Sequence, residues 1–216
     1  MKRLIFYDLD GTLVDTRADI ANAVNHMLQE MAAPLLESRE VERFVGQGLH
    51  HLVKNCLGTD EKKRIEKGSA IYRKYYSGHM LDHTVLYPGV REVLDYFKSR
   101  KQAVITNKPN PFSKDILTAL GVAPYFVGIV AGDSELAKKP DPEAVLAIMK
   151  REKIGAADAL LVGDSRIDIE TARNAGIAVV VVSHGFAGRD ELESARPDAI
   201  FRDFTELLET AKKLRW

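Results

Sequence analysis

The sequence predicts an α/β protein, a doubly wound parallel sheet of Rossmann-like type, interrupted near its start by an inserted α-helical cap. Three observations predict it. Short β-rich runs alternate with helical patterns over most of the 216 residues. The run Ile177-Ala178-Val179-Val180-Val181-Val182 is continuously apolar, as a strand covered on both faces requires. One segment, residues 15–83, shows successive helical patterns and no convincing strand.

The first strand is expected over about Arg3–Asp8, from the apolar run Leu4-Ile5-Phe6-Tyr7, and it runs into Asp8-Leu9-Asp10-Gly11-Thr12-Leu13. The chain curls at a strand end, so two acids spaced two residues apart can converge on one point. Such a pair is costly unless a cation or a reaction needs it. In the helical segment, Ile20, Val24, Met27, Leu28 and Met31 form an apolar stripe. Glu61–Ser77 reads as a second, charged helix packing through Ile65, Ile71, Tyr72 and Tyr75. The turn signal Tyr87-Pro88-Gly89 closes the segment. The expected organisation is therefore a core of residues 1–14 and 84–216 with a cap of residues 15–83 standing over the acidic strand end.

After the cap, strands are expected at Gln102–Thr106, Val127–Ala131, Ala159–Gly163, Ala178–Val182 and Ala199–Phe201. Helices are expected at Gly89–Arg100, Pro111–Leu120, Pro142–Glu152, Asp168–Ala175 and Phe204–Leu214. Gly121 and Gly176 follow two of these helices where a left-handed stop belongs.

Composition narrows the function. Lysine plus arginine and aspartate plus glutamate each total 31, so no net charge draws the chain to nucleic acid or to a membrane surface. Any anion recognition must be local. No stretch approaches the apolar length of a membrane span. The start Met-Lys-Arg has the charge of a signal peptide, but the acids at 8 and 10 break the apolar region too early. The single cysteine, Cys56, allows no internal disulfide and fits a reducing, cytoplasmic setting; its helical context suits a packed thiol.

Four local features recur at strand ends or helix entrances: Asp8-x-Asp10-Gly11-Thr12, Thr106-Asn107, Lys138-Lys139-Pro140-Asp141-Pro142 and Gly163-Asp164-Ser165-Arg166-Ile167-Asp168. Each alone is ordinary turn or cap chemistry. Together they would bring three carboxylates, a lysine and a hydroxyl to the strands' carboxyl ends, where α/β sheets bind ligands. Hard oxygen donors suit Mg²⁺, and a lysine with a hydroxyl suits phosphate.

In content and order these motifs resemble those of the haloacid dehalogenase-like phosphohydrolase superfamily, in its subgroup with a helical cap after the first motif. Asp-Leu-Asp-Gly-Thr-Leu-Val-Asp, Thr-Asn-Lys-Pro, Lys-Pro-Asp-Pro and Val-Gly-Asp-Ser-Arg-x-Asp-Ile look most like phosphoglycolate phosphatases. The resemblance implies that Asp8 attacks phosphorus and forms an aspartyl-phosphate, while Asp10 protonates the leaving alkoxide and later deprotonates water. It implies Mg²⁺ held by the Asp8 carboxylate, the Asp10 carbonyl and Asp164, with Thr106 and Lys139 on the phosphate oxygens and backbone N–H groups near Asn107 assisting. Asp168 is either a further metal partner or an anchor for Lys139. The family pattern places its lysine directly before proline, which selects Lys139 over Lys138.

Asp10 points to phosphate esters, because dehalogenases and a phosphonate hydrolase of the superfamily lack the second acid. Ile20 stands where sugar phosphomutases usually carry histidine. In the cap, the loop Phe44-Val45-Gly46-Gln47-Gly48-Leu49-His50-His51 is a candidate specificity loop. Gln47, His50 and Lys54, with Arg17 near the hinge, are candidates to meet a small carboxylate. The implied activity is Mg²⁺-dependent hydrolysis of a small phosphorylated metabolite, with 2-phosphoglycolate leading. Pyrophosphatase, sugar-phosphate phosphatase, phosphomutase and a non-catalytic phosphate-binding protein are the alternatives, and the oligomeric state is open.

Overall fold

The computed structural model describes residues 2–214 and 216. In chain order its elements are β1 (Leu4–Tyr7), β2 (Val14–Asp15), α1 (Arg17–Glu30), α2 (Ser38–Glu42), α3 (Leu49–Leu57), α4 (Lys62–His79), β3 (Val85–Leu86), α5 (Val90–Tyr96), β4 (Lys101–Ile105), α6 (Phe112–Ala119) and β5 (Gly128–Val130). Then follow α7 (Glu143–Glu152), β6 (Ala159–Gly163), α8 (Arg166–Asn174), β7 (Ala178–Val182), α9 (Arg189–Ala195), β8 (Ala199–Phe201) and α10 (Phe204–Leu214). Six strands form one sheet in the order β5-β4-β1-β6-β7-β8, every pair parallel.

Side-chain alternation sorts the sheet into two faces. Ile5, Tyr7, Val104, Val162 and Val180 meet Leu94 of α5, Ile116 of α6 and Leu207 of α10 on one side. Leu4, Phe6, Ala103, Leu161 and Val179 meet Val145 of α7, Ile169 of α8 and Leu192 of α9 on the other. All four residues of β1 are fully buried, which explains why that segment reads as continuously apolar. The chain builds outward from β1 in both directions, so β1 lies beside the switch in strand order where such sheets open a ligand crevice. Tyr7 is level with Val104 and Val162, so the residues after β1, β4 and β6 leave the sheet at one height.

Helices α1 to α4 lie between β2 and β3, a two-residue antiparallel ribbon pairing Val14 with Leu86 and Asp15 with Val85. Buried Asp19 adds a clasp: it accepts hydrogen bonds from the His83 N–H, the Thr84 N–H and the Thr84 hydroxyl. The α1 stripe packs inward through Ile20, Val24, Met27 and Leu28. On α4 the buried positions are Ile65, Gly68, Tyr72 and Tyr76. Ile71 and Tyr75 of the expected face also pack against the core, partly buried, and Tyr76 is added to that face; Tyr75 stacks between the rings of His26 and His79, each 4.2 Å away. Helix α9 was not foreseen, because seven residues with one buried side chain, Leu192, carry no apolar stripe. Gly121 and Gly176 adopt φ of 69° and 68°, the left-handed stops expected after α6 and α8. No helix among the described residues is long and apolar enough to cross a membrane.

Candidate active site

Asp8 follows β1, Asp164 follows β6, and Asp168 sits in the first turn of α8; a carboxylate oxygen from each lies within 4.8 Å of the others. All three are buried, and one lysine faces them. The Lys139 ammonium is 2.9 Å from Asp8 Oδ1 and 2.7 Å from Asp168 Oδ1. Three carboxylates against one ammonium leave a buried excess of negative charge. Burial pushes Asp8 up to about 6, with the Asp168 charge adding to it and Lys139 opposing. Asp164 is driven well above the usual carboxylate range by burial and by the charges of Asp168 and Asp8. Burial alone would depress Lys139, but its two carboxylates outweigh that and hold it above an ordinary lysine. A hard divalent cation fits this oxygen-rich, over-charged cluster.

The surrounding backbone is shaped around Asp164. Its Oδ1 accepts from the Thr12 hydroxyl at 2.7 Å and its Oδ2 from the Phe186 N–H at 2.9 Å. A Cβ on Gly11 would stand 2.4 Å from Asp164 Oδ2, and one on Gly185 only 2.2 Å, so both positions exclude any side chain. Gly11 also has φ 79°, which lets the turn after Asp10 close, with its N–H on the Val14 carbonyl.

Asp168 is committed. Its Oδ1 takes the Lys139 ammonium, and its Oδ2 takes the Asp164 N–H, the Ser165 N–H and the Ser165 hydroxyl. These bonds set Asp168 against Lys139, and its carboxylate also stands in the three-acid cluster with Asp8 and Asp164. The expected phosphate donors are backbone N–H groups near Asn107; its side chain has a separate task. Its amide nitrogen donates to the Gly46 and Lys139 carbonyls, and its amide oxygen accepts the Lys139 N–H. With its side chain spent on backbone, Asn107 splints Lys139 and ties the cap loop to the sheet edge, and it has little capacity left for substrate. Thr106 is buried at the end of β4, its N–H on the Val130 carbonyl and its hydroxyl accepting the Lys108 N–H.

Asp10 faces the cap. It accepts from the Thr16 hydroxyl at 2.8 Å and from the Lys108 ammonium at 3.0 and 3.2 Å. The same ammonium donates to the Tyr76 hydroxyl at 2.8 Å. Between cap and sheet lies a cavity of about 50 Å³ whose wall includes Asp8, Asp10, Thr106 and Lys108 from the core and Leu49, Leu52, Tyr72 and Tyr76 from the cap. Sequence reasoning gave Lys108 and Tyr76 no role. Lys108 belongs to the Thr-Asn-Lys-Pro string, and the helical spacing of Ile65, Tyr72 and Tyr76 along α4 is the sequence signal for Tyr76.

The expected cap contacts lie elsewhere, and none is on the cavity wall. Gln47 and His50 are exposed. Lys54 pairs with Asp60 on the cap surface. Arg17 is used at the hinge: it donates to the His184 and Gly185 carbonyls and to Asp15, and stands over the Phe186 ring. Polar residues on an exposed loop give no sequence sign of which way they point, whereas the cavity is lined by the apolar and aromatic faces of α3 and α4. Cys56 is buried, its thiol pushed up to about 12 by burial, which makes it an inert packed group.

Residues 5–182 match the family model described as haloacid dehalogenase-like hydrolase. The chain is 36% identical over 217 aligned residues to a phosphoglycolate phosphatase of Pseudomonas savastanoi pv. phaseolicola, covering 96% of this chain and 79% of the relative. It is 35% identical to a phosphoglycolate phosphatase of Vibrio parahaemolyticus, covering 96% of this chain and 95% of that one. Among solved structures, a predicted phosphoglycolate phosphatase from Haemophilus somnus 129PT superposes with a TM-score of 0.92 at 30% identity, covering 97% and 98% of the two chains. A predicted phosphatase from Clostridium acetobutylicum gives a TM-score of 0.87 at 26% identity over 99% of each chain. With its buried acids and lysine gathered at the sheet edge, the chain belongs to the haloacid dehalogenase-like hydrolase family.

Proposed function

We propose that this hydrolase is a Mg²⁺-dependent phosphomonoester phosphatase acting through an aspartyl-phosphate, with 2-phosphoglycolate as its leading substrate. The observation that carries the reading is the placement of Asp8. It lines the cavity, and its Oδ1 is fixed by Lys139 and by the Leu9 N–H at 2.6 Å. Its Oδ2 accepts no hydrogen bond among the described residues and is left to attack. The Asp8 carboxylate forms a bond to phosphorus as the ester P–O bond breaks, and Asp10 delivers a proton to the departing alkoxide. Asp10 then takes a proton from the water that cleaves the acyl phosphate. Lys139 and Thr106 bind the non-bridging oxygens through the charge and hydroxyl they bring to the same edge. Asp8, Asp164 and the Asp10 carbonyl would hold Mg²⁺, which when bound offsets repulsion between the anionic nucleophile and the phosphate. The relatives named phosphoglycolate phosphatase support the choice of substrate.

Phosphate release from a panel of phosphorylated metabolites tests the reading. Release should require Mg²⁺ and fall by at least about 10³-fold in Asp8→Asn, whereas wild-type rates in that variant would sink the mechanism. Asp10→Asn should lose turnover yet still form the phosphoenzyme.

A further inference from the structure

The cap side of the cavity is a cradle of donors that the phosphate chemistry does not use. Lys108 is the only cation on the cavity wall among the described residues. Its ammonium is shared between Asp10 and the Tyr76 hydroxyl, and it stands 4.6 Å from the Tyr76 ring centroid. Because the Tyr76 oxygen accepts from Lys108, its own proton is free to be donated onward. Tyr72 stacks on Tyr76 with ring centroids 5.2 Å apart. Tyr72 is 96% buried, at 4% exposure, yet its hydroxyl makes no hydrogen bond to the protein among the described residues. Burial holds both phenols far above their ordinary range, so they remain donors. Among the described residues only the Tyr87 hydroxyl is enclosed without a partner, so the Tyr72 hydroxyl keeps accessible surface at the cavity it lines and can donate to a bound group.

We propose that Lys108, Tyr72 and Tyr76 form the leaving-group subsite and select phosphate esters of small hydroxy acids by binding their carboxylate. This rests on the phosphatase reading above. Two hydroxyl donors suit the two oxygens of a carboxylate. A single ammonium, already shared with Asp10, balances a monoanion better than the higher charge of a phosphate leaving group. The apolar part of the wall, with Ile20, Leu49 and Leu52, accepts a methylene. A cavity of about 50 Å³ suits a short leaving group.

Binding separates this subsite from turnover. Calorimetry on Asp8→Asn with Mg²⁺ present compares 2-phosphoglycolate, 2-hydroxyethyl phosphate and pyrophosphate. The first two share a skeleton, with CH₂OH in place of the carboxylate. 2-Phosphoglycolate should bind at least about tenfold more tightly than either competitor. Adding Tyr72→Phe or Tyr76→Phe should cut that preference about three- to tenfold, and Lys108→Gln should cut it further. The phenylalanine variants keep the packing and serve if the lysine variant fails to fold. A preference that none of the folded variants moves would overturn the assignment, as would tighter binding of pyrophosphate. If the unsubstituted enzyme releases no phosphate from any ester, the phosphatase reading falls, while a carboxylate preference that the variants abolish would still support the subsite.

Discussion

Gly185→Ala puts the shape of the acidic site to a quantitative test. An added Cβ would sit 2.2 Å from Asp164 Oδ2 and 2.3 Å from its Cβ, more than 1 Å inside van der Waals contact. Asp164 has little room to yield, because Thr12 and the Phe186 N–H hold its two oxygens. The loop is pinned from the other side by Arg17 on the Gly185 carbonyl at 2.6 Å. Whichever side moves, the Phe186 hydrogen bond is stretched. Overpacking costs about 1–3 kcal/mol, and losing a hydrogen bond to a charged group about 1.5–3 kcal/mol. The sum, about 2.5–6 kcal/mol, is a large share of a typical stability of about 5–15 kcal/mol. Urea unfolding reads the stability, and the rise in Tm on adding Mg²⁺ reads the metal site. Both should fall sharply. Gly78→Ala is the internal comparison: it lies exposed in α4 with no atom within 4 Å of an added Cβ. It should gain about 0.5–1 kcal/mol from helix propensity. A Gly185→Ala protein within about 1 kcal/mol of wild type, with an unchanged Mg²⁺ response, would refute the packing argument.

Three further outcomes follow from the same geometry. Since Asp8 titrates near 6 when folded, above an unfolded aspartate near 4, the native metal-free chain takes up its proton more readily than the unfolded chain. That contribution to stability is therefore present below about pH 4 and lost as pH rises through about 6, at most about 2–3 kcal/mol from this group. Mg²⁺ needs the ionised carboxylates, so the Tm increase it produces should be larger at pH 7.5 than at pH 5; equal shifts would count against the acidic metal site. Asp168→Asn should cost about 3 kcal/mol in urea unfolding, because either amide orientation sets an NH₂ group against the Lys139 ammonium or against the Asp164 and Ser165 N–H groups. Tyr87→Phe should be neutral or stabilising by up to about 1 kcal/mol in thermal unfolding, since the Tyr87 hydroxyl is enclosed without a partner.

Much of the core was legible because its signals are local. Ala159–Gly163, Ala178–Val182 and Ala199–Phe201 form strands over the residues expected, since short apolar runs between helical patterns point to strands of a parallel sheet. Elsewhere the ends moved by one or two residues, and α5 stops at Tyr96 rather than running to Arg100. The two-residue strands β2 and β3 are too short to show alternation. At the site, Asp8, Asp164, Asp168 and Lys139 are conspicuous because buried charge next to glycine and proline at strand ends is hard to explain otherwise. The cap was less legible. Lys108 has no role in the sequence until the fold encloses it against Tyr76, and Arg17 reads as a substrate contact until the His184 and Gly185 carbonyls take it up. Such assignments depend on contacts between segments about 32 to 168 residues apart, which helical or strand periodicity does not encode.

The central claim is that Asp8 becomes covalently phosphorylated. Protein mixed with 2-phosphoglycolate and Mg²⁺, quenched in acid and mapped by peptide mass spectrometry, tests it directly. A phosphoryl group should appear on the Asp8 peptide, accumulating in Asp10→Asn and absent from Asp8→Asn. Phosphate release by the unsubstituted protein with the label on another residue, or with full activity in Asp8→Asn, would contradict it.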